Sequence, residues 1–262
     1  MKEQRPAHAN GICVSNHLSI FGITITDCTI GEAKTLCETL INTCNGKPSV
    51  IYFINTSTLN LAIPDKNYTA ILNNADIVFG DGTGVRWAVR LLHNRRLRDN
   101  VNGTDLVPLL LRKPGRGGYG YYMLGAEPQA IQSAADNVRS LFPLWRLAGY
   151  HHGYISREDN ATIVDQINSS GAHLLLVGMG NPIQEKWIHD NRDKLHTPLI
   201  IAVGGLFNYW AGNLDRAPLW LRKLGMEWVH ILFRQPSKWK RYLIGNGLFL
   251  IRVFFERITK RG

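Results

Sequence analysis

One carboxylate set among glycines, Phe79-Gly80-Asp81-Gly82-Thr83-Gly84, carries the residue types of a general base in this 262-residue chain. It closes a strand-like run, and the carboxyl ends of strands are where open α/β sheets bind ligands. A carboxylate held there can take a proton from an attacking hydroxyl. Asp81 could equally cap a helix beginning near Thr83. A second constellation, Val177-Gly178-Met179-Gly180-Asn181-Pro182 followed by Gln184 and Glu185, joins a strand to a helix. Glycines let backbone N–H groups approach an anion there, and a helix N-terminus adds partial positive charge, so a diphosphate fits. A tight strand-to-helix turn also needs glycines with no ligand at all, and the third glycine of a dinucleotide fingerprint is absent.

Asn55-Thr56-Ser57 follows another strand-like run, where small polar side chains either hydrogen-bond a sugar or uracil or serve as turn and cap residues. Asn102-Gly103-Thr104-Asp105 offers an Asp that by default caps the Leu106 to Leu111 helix and otherwise contacts a sugar hydroxyl. Val203-Gly204-Gly205-Leu206-Phe207-Asn208 again closes a strand with glycines. Glycine-closed strand ends and an isolated carboxylate on one rim point to a phosphate-bearing ligand. No Asp-x-Asp pair is present to hold a divalent ion under a nucleotide diphosphate. The adjacent His151 and His152 would diverge in a strand, so neither a metal nor another cofactor is expected.

These residues need a scaffold that gathers strand ends. Strand-like runs alternate with helix-like segments over most of the length, the pattern of an α/β fold with a Rossmann-like, largely parallel sheet flanked by helices. The runs are Leu18 to Thr26, Ser49 to Ile54, Ala75 to Phe79, Tyr119 to Leu124, Trp145 to Gly149, His173 to Val177 and Leu199 to Val203. Thr29 to Cys44 repeats apolar residues at helical spacing, opened by a capping box of Thr29 with Glu32 and ended at Asn45-Gly46. Pro128 and Pro182 suit the first turns of two further helices, and Lys113 to Gly118 reads as a surface connection. Residues 1–217 are thus expected to form the core.

Residues 218–262 break the alternation and read as a basic, amphipathic helical appendage. Between Pro218 and Gly262 ten Lys or Arg stand against two acids, Glu227 and Glu256, and carry most of the net charge of +10. Trp220, Trp228, Trp239, Phe249, Phe254 and Phe255 add an aromatic component. That combination suits a helix in a membrane interface, where anionic headgroups contribute ~1 kcal/mol per nearby basic side chain. Ordinary packing is the alternative. Nucleic acid is not expected as a partner, because neither a zinc-knuckle spacing nor an aromatic RNA-binding signature is present. No run reaches the ~18 apolar residues of a spanning helix, so membrane contact should be peripheral. The first ten residues lack a signal-peptide stretch, and the four cysteines, all within the first 44 residues, form no Cys-x-x-Cys pair. A reduced, cytoplasmic chain is expected. Oligomeric state is open, a homo-oligomer included.

Taken together, the chain resembles the WecG/TagA/CpsF glycosyltransferases, glycosyltransferase family 26, from about Gly22 to Tyr242. The matching residues are Ala75-Asp76 leading to Asp81-Gly82, Gly103-Thr104-Asp105-Leu106, Leu124-Gly125-Ala126, Gly178 to Pro182 with Gln184-Glu185, Val203-Gly204-Gly205 and Ala211-Gly212. Arg216-Ala217-Pro218 and Gly225-Met226-Glu227-Trp228 with Gln235-Pro236 are the most distinctive. The resemblance implies an inverting, metal-independent transfer from a UDP-sugar donor to a polyprenyl-diphosphate-linked sugar acceptor. That transfer would serve cell-surface polysaccharide synthesis at the inner face of the bacterial cytoplasmic membrane.

The family's proposed base falls on Asp81, its pocket asparagine on Asn55 and its motif glutamine on Gln184. Thr56, Ser57, Gly82, Thr83, Gly103, Asp105, Gly178, Gly180, Asn181, Glu185, Gly204, Gly205 and Asn208 complete the expected substrate contacts. Arg234, Lys238, Lys240 and Arg241, with Arg216, are expected to meet the lipid diphosphate or membrane. Three departures bear on the sugars rather than the reaction class: Phe53 where many members have Thr, Asn208 where many have Asp, and His230-Ile231 in place of a Tyr-Arg or Trp-Arg pair. Two rivals stand beside this reading, an NAD(P)-dependent reductase and a basic module for nucleic acid or anionic lipid. UDP binding would separate the three.

Overall fold

The computed structural model describes residues 8–9, 12–13, 16–43, 46–113, 118–223, 226–234 and 239–259. Among the described residues, strands β1 (His8–Ala9) and β2 (Ile12–Cys13) pair only with each other. β3 (His17–Ile20) and β4 (Ile23–Thr26) form a hairpin where the sequence reads as one strand. Its turn residues Phe21 and Gly22 have φ of 49° and 77°, and two successive positive values match a hairpin turn to the twist of its strands. The predicted capping box opens α1 (Ile30–Asn42): Thr29 Oγ1 accepts the Glu32 N–H at 3.2 Å and Glu32 accepts the Thr29 N–H at 2.8 Å. Cys44 and Asn45, in the expected stop, lie outside the described residues, as does most of the Lys113 to Gly118 connection.

From there the alternation runs as read. β5 (Ser49–Ile54) leads through α2 (Thr56–Ala62) and α3 (Lys66–Asn73) to β6 (Ile77–Gly80), followed by α4 (Thr83–His93) and α5 (Gly103–Leu111). β7 (Gly120–Gly125), α6 (Pro128–Leu141), β8 (Arg146–His151) and α7 (Asp159–Ser169) come next. β9 (Leu174–Gly178), α8 (Ile183–Asn191), β10 (Leu199–Ala202) and α9 (Leu206–Trp210) complete the core. Pro128 takes the first-turn position expected of it, whereas Pro182 sits at the cap of α8, one residue earlier than expected.

Among the described residues the main sheet has eight strands in the order β3-β4-β6-β5-β10-β9-β7-β8. Every pairing from β4 to β8 is parallel, so those strands end on one edge. β5, β6, β7, β9 and β10 are buried at every residue, which is why they are apolar without alternation: helices cover both faces. α1, α5, α6 and α9 pack on one face, and α2, α3, α4, α7 and α8 on the other. The fold is therefore the α/β, Rossmann-like arrangement that the alternation predicts.

The C-terminal segment continues through α10 (Leu219–Lys223), α11 (Glu227–Arg234), a π-helical turn at Lys240–Ile244, and α12 (Gly245–Thr259). α12 lies across α2 and α4. Phe249 and Val253, one turn apart, are fully buried there, and the Phe249 ring meets Phe21 edge-on at 6.0 Å. Hydrogen bonds fix the helix: Thr56 Oγ1 to Asn246 Oδ1 (2.8 Å), Asn60 Nδ2 to the Gly245 carbonyl (2.7 Å), and Arg252 Nη1 to Asn60 Oδ1 (2.9 Å) and to the Asn60 carbonyl (3.2 Å). Leu248, Ile251, Phe254, Phe255 and Ile258 face outward. Among the described residues no helix is long and apolar enough to cross a membrane.

Candidate active site

A cleft of about 1160 Å³ opens over the carboxyl ends of β5, β6, β9 and β10, with α4 on one side and the C-terminal segment above it. The sheet order turns at β5: its next strand in sequence lies to one side and β10 to the other, the kind of crevice in which α/β sheets bind ligands. Asp81 lines this cleft between β6 and α4, and its N–H donates to the Ile54 carbonyl of β5 at 2.8 Å. The cap position of α4 is Gly82, with φ of 88°, a region that L side chains rarely adopt. Asn100 Oδ1 accepts the Gly82 N–H at 2.7 Å. Thr83 lines the cleft beside them.

Asn55, Thr56 and Ser57 lie at the same rim, on the start of α2. Asn55 caps that helix: its Oδ1 accepts from the N–H of Ser57 (3.0 Å) and Thr58 (3.1 Å) and from the Thr58 hydroxyl (3.3 Å). The oxygen is saturated, and the amide N–H₂ end is what a ligand can meet. Phe53, the departure below Asn55, packs on Phe79 at 5.8 Å between ring centres. A Cβ on Gly103 would stand 3.2 Å from the Phe53 ring, so Gly103 is the residue that lets this ring under the cleft floor.

The glycine turns after β9 and β10 meet here too, with Gly178, Gly180, Asn181, Gln184, Gly204, Gly205 and Asn208 all on the cleft wall. A Cβ on Gly178 would stand 2.8 Å from both the Gly204 carbonyl oxygen and the Phe207 ring, so packing alone requires that glycine. The Gly180 N–H, offered to a diphosphate by sequence reasoning, and the Gly204 N–H both donate to Gln184 Oε1, at 3.3 and 3.0 Å. Glu185 does not reach the cleft. It is fully buried, and burial raises its carboxyl above the ordinary glutamate range.

Asp105 is also turned away from the cleft, and it is not the cap of its helix. Asn102 caps α5, accepting the Asp105 N–H at 2.9 Å, while the Asp105 carboxylate faces Arg216 at 2.5 Å and Arg222 at 3.4 Å. Burial works against that charge, but hydrogen bonds from Arg216 and Asn102 and the two guanidinium charges outweigh it, so the carboxyl titrates below the usual aspartate range. Arg216 also reaches the Thr104 carbonyl (3.2 Å) and Glu227 (3.6 Å). It ties α5 to the C-terminal segment rather than facing the cleft. Arg234 does line the cleft and pairs with Asp215 at 2.9 Å. Lys240 is exposed over the Trp239 ring. Lys238 and the side chain of Arg241 lie outside the described residues.

The family model described as "Glycosyl transferase WecG/TagA/CpsF family" matches residues 18–262. The chain belongs to this family. An enzyme of Bacillus subtilis (strain 168) named N-acetylglucosaminyldiphosphoundecaprenol N-acetyl-beta-D-mannosaminyltransferase is 32% identical over 195 residues, 74% of this chain and 75% of its own. A protein of the same name from Staphylococcus aureus (strain MW2) is 29% identical over 243 residues, 93% of this chain and 92% of its own.

In this WecG/TagA/CpsF family member, several cleft residues lie outside the sequence expectations. Arg86 and Arg222 bring cationic side chains to the wall, and Trp87 and Tyr154, 59% and 66% exposed, bring aromatic ones to its margin. Arg86 and Trp87 stand five and six residues after Asp81, near the start of α4, and no sequence pattern marks them. Arg222 is visible only through its partner Asp105, 117 positions earlier. Among the described residues no group of three or more His, Cys, Asp or Glu is placed to hold a metal ion.

Proposed function

We propose that this glycosyltransferase moves a sugar from a UDP-sugar to a polyprenyl-diphosphate-linked saccharide, with inversion at the anomeric carbon and Asp81 as general base. The carrying observation is that Asp81 and the glycine turns after β9 and β10 share one cleft. Asp81 removes the proton from an acceptor hydroxyl, whose oxygen bonds to the anomeric carbon as the bond from that carbon to the UDP oxygen breaks. UDP leaves with the electron pair. Arg86, Arg222 and Arg234 on the cleft wall supply cationic charge for the departing diphosphate, a metal-free way to stabilise it. The printed names of the relatives put N-acetylmannosamine, and an N-acetylglucosaminyl-diphospholipid, first in the panel of substrates to try.

Residues 218–262 act in this proposal as a membrane-docking appendage on the cytoplasmic face. The outward Phe254, Phe255 and Ile251 of α12 and Phe233 of α11 support it, set among basic side chains and beside a cleft partly walled by Phe249 and Leu250. Asp81→Asn tests the chemistry: turnover should fall by ~10²–10⁴-fold, the share of a general base, with UDP binding retained. Near-normal turnover would remove Asp81 from the role.

A further inference from the structure

We infer that Glu185 is a positioning residue of the donor site: from beneath the cleft floor it orients the Gln184 carboxamide, whose oxygen ties the glycine turns of β9 and β10 into one rigid seat. This rests on reading the cleft as a UDP-sugar site. Glu185 Oε1 accepts from Gln184 Nε2 at 2.7 Å and from Asn181 Nδ2 at 2.8 Å, and the Tyr68 hydroxyl donates to Oε2 at 3.1 Å. The Tyr52 hydroxyl donates to the Glu185 carbonyl at 3.2 Å. All these partners are neutral, and a buried carboxyl without a cation is a costly way to fill a core. What it provides is direction. With its amine end committed to Glu185, Gln184 must present its oxygen to the Gly180 and Gly204 N–H groups. A flipped carboxamide would set its N–H₂ against two N–H donors and its oxygen against a carboxyl oxygen. Asn181, which lines the cleft, is held by the same carboxyl at 2.8 Å and more loosely by the Thr58 hydroxyl at 3.2 Å.

The experiment measures UDP affinity by calorimetry, with donor KM, kcat and Tm, for the wild-type protein, Glu185→Gln, Glu185→Ala and Tyr68→Phe. Glutamine at 185 keeps an oxygen for Gln184 and Asn181 and offers N–H₂ to the Tyr68 oxygen. It should hold UDP affinity within about threefold of wild type, less than one net hydrogen bond. Glu185→Ala should weaken UDP binding by about tenfold or more and raise donor KM more than it lowers kcat. A purely structural role would lower Tm in Glu185→Ala while leaving UDP affinity and donor KM of the folded protein unchanged, and that result overturns the inference. Should Glu185→Ala fail to fold, Tyr68→Phe decides: a loss of about threefold or more supports the role, and unchanged affinity overturns it. A wild-type protein that does not bind UDP sinks the donor-site reading itself.

Discussion

Replacing Phe249 by alanine removes the side chain that holds α12 across α2 and α4. The ring is fully buried and meets Phe21 edge-on, so the truncation should cost about 3–5 kcal/mol. Because α12 is held by Phe249, Val253 and a few hydrogen bonds to α2, that loss should appear first as local opening of the helix rather than as unfolding of the sheet. At 1.4 kcal/mol per tenfold, a 3 kcal/mol loss accelerates amide exchange by roughly 10²-fold. Hydrogen exchange read by mass spectrometry should show that acceleration over Gly245–Thr259 and little change in α1, which packs on the opposite face of the sheet. Exchange in α12 within about threefold of wild type, or an equal acceleration in α1, refutes the docking energetics.

Other perturbations have equally direct outcomes. Gly178→Ala puts a Cβ 2.8 Å from the Gly204 oxygen and the Phe207 ring; overpacking of about 1–3 kcal/mol should lower Tm by roughly 2–4 °C per kcal/mol in a thermal melt. Asp105→Asn leaves Arg216 short of its main partner. With the carboxylate partly exposed, a loss of about 1–3 kcal/mol is expected at pH 7 in urea unfolding. Because the folded pKa of Asp105 is depressed, its stabilisation is complete above the unfolded value of about 3.9 and is lost as pH falls through the lower folded value. The gap between wild type and Asp105→Asn should therefore narrow below about pH 4, and a constant gap would contradict the ion-pair account. Thr29→Ala breaks the capping box of α1 and should cost about 1 kcal/mol by the same urea measurement.

The sheet and the cleft edge were legible because parallel strands buried on both faces read as unbroken apolar runs, and because glycines mark where they end. Asp81, Asn55 and the turns at Gly178 and Gly204 share a rim for that reason. The hairpin at Phe21-Gly22 was hidden by its flanks, which continue the apolar pattern without the Asn-Gly or Asp-Gly pair that usually signals such a turn. Glu185 was grouped with Gln184 by adjacency, yet neighbours on a helix point about 100° apart, and one reaches the cleft while the other enters the core. Asp105 offers the inverse lesson: local spacing favoured a cap, but its decisive partner, Arg216, lies 111 positions later and could not be inferred from neighbouring residues.

The crowding of Gly125, Gly178 and Gly204 has a consequence for how this enzyme can change. A Cβ on Gly125 would sit 2.3 Å from the Gly178 oxygen, just as one on Gly178 would strike Gly204, so three strand ends touch main chain to main chain. At those three strand ends the packing is main chain against main chain, with no side chain to vary. On the proposed UDP-sugar reading, a change of donor is to be sought in the side chains around them, among them Trp87, Asn208 and Tyr154.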